Sequence, residues 1–131
     1  MIEKVQIIDR KLITDERGWF IKTLTGKEDC LPSRVGEVYL TMGKPGQSKG
    51  GHYHLRTQEW FFLIKGNVVL KLEDITTKEN REIEMSFEKA QSVYVPSKVA
   101  HIIENVGGSD FIMMAYADAL YDPQDTVEYL F

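Results

Sequence analysis

The sequence predicts an all-β fold, a sandwich or small barrel, and two observations carry that expectation. Apolar and polar residues alternate over short stretches, the period of a strand with one face covered. Clusters of glycine, proline and polar turn formers interrupt those stretches at short intervals, leaving room for many strands and few helices.

Along the chain, the first punctuation falls at Gly26 and at Pro32-Ser33. Val38, Leu40 and Met42 then alternate with Tyr39 and Thr41, which reads as a half-buried strand. A glycine-rich stretch from Gly43 to Gly51 follows, and then Trp60 to Ile64, apolar on both faces and suited to a strand covered on both sides. Lys65-Gly66 turns the chain into a second alternating run, Val68, Leu70 and Leu72 against Asn67, Lys71 and Glu73. After Thr76 to Asn80, Ile83, Met85 and Phe87 alternate with polar neighbours. Pro96-Ser97 and Gly107-Gly108 mark two more turns, and Phe111 to Ala117 is apolar throughout, a pattern that fits a buried strand or a buried helix. The stretch after Pro123 is expected to hold at most a short helical turn.

Composition narrows the class. A chain of 131 residues with 43% hydrophobic and 27% charged residues fits one globular domain spanning 1–131 with a core that needs no staples. Cys30 is the single cysteine, so no intrachain disulfide can form and a reducing, cytoplasmic setting is expected. Charges at positions 3, 4, 9 and 10 leave no space for the apolar stretch of a signal peptide. The longest apolar run, Trp60 to Ile64, is far short of the roughly 20 residues that span a bilayer, so a soluble protein is expected. The formal charge of -4 comes with no basic stripe, which argues against nucleic acid as a partner.

The histidines point to chemistry. His52 and His54 stand two apart, and on a strand such residues project to one face. Glu59 follows five residues later, and His101 lies on a distant predicted strand. One histidine is more often a surface or packing residue than a ligand. Three imidazoles and a carboxylate in this spacing match what a divalent transition metal of the Zn, Fe, Ni or Mn kind takes as ligands.

The segment 46–66, GQSKGGHYHLRTQEWFFLIKG, resembles the first motif of the cupin superfamily at its glycine, His-x-His, Glu and closing glycine positions. The segment 90–105, AQSVYVPSKVAHIIEN, is similar to the second cupin motif at Pro96, His101 and Asn105, with Ala90 and Lys98 standing where the family has glycine. The resemblance implies a cupin jelly-roll β-barrel with His52, His54, Glu59 and His101 converging inside it on a metal. Asp15-Glu16-Arg17-Gly18-Trp19-Phe20 resembles the opening motif of the 3,5-epimerases of nucleoside-diphosphate 4-keto sugars. Lys49-Gly50-Gly51 stands where that family has an arginine-glycine pair before its catalytic histidine. The tail 121–131, YDPQDTVEYLF, is similar to the tails of sugar 3,4-ketoisomerases and of the C-terminal cupin domain of capsular-polysaccharide reductase/epimerases. That last domain also shares the opening motif, both cupin motifs and the run IENVG at 103–107, so the chain resembles it above all.

What the resemblance implies is an isomerase of nucleotide-linked 4-keto-6-deoxy sugars that removes a proton next to the ketone and returns it on the other face or at another carbon. In metal-free relatives the histidine at the His52 position is the base and a tyrosine the acid. A metal on His52 and its neighbours would take up their lone pairs and stabilise the enolate instead. The expected catalytic residues are His52, His54 and Tyr39, the tyrosine because its strand runs into the motif. Arg17 and Lys49 are the cations expected at the diphosphate, one a bidentate fork and the other a point charge, and Tyr116 is expected to bind substrate. Edge strands left by a jelly roll of this length predict a homodimer. Two other classes share the ligand set: a metal-dependent dioxygenase or small-molecule isomerase, and a non-catalytic sugar- or metal-binding cupin.

Overall fold

The structure, a computed structural model, describes residues 1–16, 18–32 and 36–131, with backbone alone at 18–20. Twelve strands are described: β1 (Gln6–Asp9), β2 (Ile13–Asp15), β3 (Gly18–Phe20), β4 (Glu37–Gly43), β5 (Ser48–His54), β6 (Glu59–Lys65), β7 (Asn67–Asp74), β8 (Asn80–Ser86), β9 (Gln91–Val95), β10 (Val99–Asn105), β11 (Phe111–Ala117) and β12 (Thr126–Glu128). Short 3-10 turns lie at Ile2–Lys4 and Phe87–Lys89.

Two five-stranded antiparallel sheets face each other, ordered β1-β9-β6-β11-β4 and β12-β5-β10-β7-β8, while β2 and β3 form a separate hairpin. This is the jelly roll, and its core is the inner face of both sheets: Phe61, Leu63, Val68, Leu70, Leu72, Val93, Val95, Val99, Ile103, Phe111 and Met113. The clean alternation of β7 arises because Val68, Leu70 and Leu72 all point into that space. On β6 both faces are buried, as its apolar run predicts. Phe61 and Leu63 face the core, and Trp60 lies on the other side, where its indole N–H donates to Cys30 Sγ at 3.2 Å.

Three expectations are corrected or resolved. The stretch after Pro123 is not helical but supplies β12, which pairs with β5 as Thr126↔His54, Val127↔Tyr53 and Glu128↔His52. The open choice at Phe111–Ala117 resolves to a strand between β6 and β4. On β4 the stripe Val38, Leu40 and Met42 faces outward and is exposed, while Tyr39, itself 38% exposed, turns its hydroxyl to Glu59. Ala90 and Lys98 keep the positive φ of the glycines they replace, 49° and 65°, at a cost of order 1 kcal/mol each.

Candidate functional site

The site begins with a register slip between β5 and β10. His101 pairs with His52, but Ile102 pairs with Gly50, so Gly51 is an extra residue in the ladder. Gly50 and Gly51 hold φ of 94° and 79°, and a Cβ on Gly50 would stand 3.0 Å from the His101 carbonyl oxygen. Glycine is required there because L-residues avoid that conformation and the crossing strand leaves no room. The slip leaves His52 directly opposite His101, with ring centroids 4.9 Å apart. His54, two residues on, projects to the same side with its ring 5.0 Å from His52 and 5.6 Å from His101. Glu59, first residue of β6, enters from the opposite sheet.

One ligand atom from each of His52, His54, Glu59 and His101 lies within 4.8 Å of all the others. His101 and Glu59 are buried, His52 and His54 partly so. Burial pushes the Glu59 carboxyl up, but the flanking imidazoles of His101 and His54 outweigh it and hold the group well below the usual carboxylate range. Burial, helped by the neighbouring rings of His101 and His54 against the pull of Glu59, pushes His52 down to about 4. Its ring is therefore neutral at pH 7, the form that offers a lone pair.

Hydrogen bonding shows whether a cation suits the cluster. His101 Nδ1 lies 3.1 Å from the Val99 carbonyl, which only accepts, so Nδ1 carries a proton and Nε2 is the nitrogen left to face the cluster. That Nε2 is buried, has no hydrogen-bond partner among the described residues and lies 3.2 Å from Glu59 Oε1, itself an acceptor. His54 Nε2 is 2.8 Å from the same oxygen. A bare Nε2 facing a carboxylate oxygen is repelled by it unless positive charge comes between them. Three imidazoles and one carboxylate therefore fit a divalent transition metal in donor type and number.

His52, His54 and Glu59 line a cleft of about 380 Å³, while His101 is buried and does not line it. Tyr39 lines it, and its hydroxyl donates to Glu59 Oε2, the oxygen turned away from the histidines. Burial and the Glu59 charge push the Tyr39 phenol above its ordinary range. Tyr116 is elsewhere: it pairs with Trp60 on the outer face of β11 and receives the Gly36 N–H at 3.3 Å. Lys49 is exposed on β5, at the register position opposite Ile103, and does not line the cleft. Arg17 lies outside the described residues.

Sequence reasoning missed most of the cleft wall: Glu37, Thr57, Leu120, Tyr121, Asp122, Asp125 and Thr126. Much of it is the segment joining β11 to β12, whose placement depends on β12 docking beside β5. The one available signal was the tail YDPQDT, whose Asp-Pro pair marks a turn. Among the described residues no lysine or arginine lines the cleft, though Arg56 pairs with two of its carboxylates, Asp122 at 3.4 Å and Asp125 at 3.6 Å.

Residues 13–129 match the model of the polysaccharide biosynthesis C-terminal domain. The chain is 31% identical over 121 residues to UDP-2-acetamido-2,6-beta-L-arabino-hexul-4-ose reductase of Pseudomonas aeruginosa, covering 92% of this chain but 31% of that protein. It thus spans about a third of that relative's length. Among solved structures it is similar to capsular polysaccharide assembling protein CapF from Staphylococcus aureus, with a TM-score of 0.70 at 28% identity over 93% of this chain and 34% of that one. It also shares the fold of dTDP-6-deoxy-D-glucose-3,5-epimerase RmlC from Legionella pneumophila, solved with dTDP-4-keto-L-rhamnose. There the TM-score is 0.84 at 18% identity, covering 95% of this chain and 71% of that one.

Proposed function

Because the chain belongs to the polysaccharide biosynthesis C-terminal domain family, we propose that it is an isomerase of nucleoside-diphosphate 4-keto-6-deoxy sugars, an epimerase or keto-isomerase that serves cell-surface polysaccharide synthesis in the cytoplasm. The observation that carries this reading is the cluster of His52, His54, Glu59 and His101, in which the buried His101 Nε2 stands 3.2 Å from Glu59 Oε1 and the other three side chains line the cleft. His52, His54, Glu59 and His101 are the residues that would hold a divalent transition metal. When bound, such an ion supplies Lewis-acid stabilisation of the enolate oxygen that forms as a proton leaves the carbon beside the ketone.

The protein's own groups do the rest. The cleft is lined by carboxylates, Glu37, Asp122 and Asp125 among them, which suits a sugar ring better than a diphosphate, and Arg17 and Lys49 are the cations proposed to meet the diphosphate. Tyr39, held protonated beside Glu59, is the proposed acid, and it keeps Glu59 turned so that Oε1 faces the histidines. Tyr121 lines the same cleft, and its backbone N–H is fixed to Glu37 Oε1 at 2.7 Å, so a second phenol and a carboxylate stand near Tyr39 as proton carriers. A homodimer is part of this reading, supported by the outward apolar stripe of β4.

The test is incubation with a dTDP- or UDP-linked 4-keto-6-deoxy sugar in D2O, read by NMR. Deuterium is expected at C3 or C5, and His52→Ala is expected to lower kcat by roughly 10²-fold or more. Failure of every such sugar to exchange either proton would overturn the reading. Elemental analysis of protein made without a histidine tag should find about one divalent transition metal per chain. A cluster that also rejects added zinc, nickel and manganese would return His52 to the role of base.

A further inference from the structure

Two histidines of the cluster are anchored in different ways. His101 Nδ1 meets a carbonyl, which has no proton to give. His54 Nδ1 meets the Thr126 hydroxyl at 3.2 Å, and a hydroxyl both gives and receives. That hydroxyl has a second acceptor in the Asp122 carbonyl at 3.4 Å. On the far side of the ring, His54 Nε2 lies 2.8 Å from Glu59 Oε1.

For a neutral ring these contacts admit two proton arrangements. In one, Nε2–H donates to Glu59 and the Thr126 hydroxyl donates to Nδ1. In the other, Nδ1–H donates to Thr126, whose own hydrogen turns to the Asp122 carbonyl, and Nε2 is a bare lone pair. Only the second leaves Nε2 able to take a metal ion.

We propose that Thr126 is a positioning residue for His54: its hydroxyl serves both arrangements, so the ring can give up Nε2 to a divalent cation while Nδ1 stays hydrogen-bonded. The inference rests on the reading of the cluster as a metal site. The proton count balances, since Nε2 loses one proton to solvent, Nδ1 gains one from solvent, and Thr126 only rotates its own.

The surroundings hold this hydroxyl in place. Thr126 sits directly across the ladder from His54. Its neighbour Asp125, buried, accepts the Arg56 N–H at 2.8 Å, the Thr57 N–H at 3.1 Å and the Thr57 hydroxyl at 2.6 Å, and the Asp125 carbonyl takes the Leu55 N–H at 2.9 Å. The turn between His54 and Glu59 is thus clamped to the segment that carries Thr126. A fixed hydroxyl opposite a fixed ring is a stronger constraint than a mobile one, because little rotamer entropy is lost when the bond forms.

The experiment is zinc affinity by competition with a chromophoric chelator, for the parent, Thr126→Val and Thr126→Ser. The valine variant keeps the shape and loses the hydroxyl, and roughly 10- to 100-fold weaker binding is expected. The serine variant should bind as the parent does. In the zinc-loaded parent, long-range ¹H–¹⁵N NMR should find the His54 proton on Nδ1, a readout that stands even if the valine variant fails to fold. Parent affinity in Thr126→Val, an equal loss in Thr126→Ser, or a zinc-loaded His54 protonated at Nε2 would each overturn the inference alone. A parent that takes up no zinc would instead overturn the metal reading, and this inference with it.

Discussion

Strands β4 and β7 carry nearly the same sequence pattern and lie in opposite situations. Val68, Leu70 and Leu72 of β7 are 1%, 0% and 1% exposed, whereas Val38, Leu40 and Met42 of β4 are 62%, 64% and 47% exposed. Alternation states which residues share a face, and it is silent on which face is covered. On β4 the inner side is taken by other demands. Tyr39 must reach Glu59, and Gly43 lies under the Phe111 ring, where a Cβ would come within 2.2 Å of a ring carbon. Small and polar residues therefore face inward and the aliphatic ones outward. β4 is also the edge of its sheet, so among the described residues no further strand pairs with its free edge.

Truncating one leucine on each strand puts the contrast to the test. Leu70→Ala should cost about 2–5 kcal/mol in urea denaturation, because it empties space in a packed core. Leu40→Ala, measured on protein dilute enough to be monomeric, should stay within about 0.5 kcal/mol of the parent. Equal losses would mean that the outer face of β4 is covered within the chain after all.

A charge sharpens the same point. If the β4 stripe is where two copies meet, light scattering should give about 30 kDa for the parent, from chains of 15.1 kDa, and Leu40→Asp should halve it. A parent that is already monomeric at micromolar concentration removes this explanation of the exposed stripe.

The cluster of His52, His54, Glu59 and His101 could be read from the sequence largely because its information is local. His52 and His54 share a face whatever the rest of the chain does, provided the segment is a strand, and Glu59 follows within one turn. His101 was found through its motif and sits opposite His52 because of a slip at Gly51 that no periodicity would place. The cleft wall was out of reach because it depends on where β12 docks, and three residues of irregular composition carry too little pattern to locate a strand. Tyr116 shows the cost of choosing by residue type. It is one position from Ala115 and Ala117, and that single step sends it to the outer face. Ala90 and Lys98 show the converse, since the backbone kept its left-handed turns where the residues that favour them are gone.

The clasp of β12 on β5 bears on how the molecule is made. His54 and Thr126 are separated by 72 positions, and Arg56 and Asp125 by 69, so this half of the pocket is closed by residues far apart in the chain. Closing such loops costs entropy before any contact repays it, which makes distant pairings the late and slow ones in folding. The two walls of the pocket therefore meet only through this distant pairing, and cutting the chain anywhere between β5 and β12 leaves neither fragment with both of them.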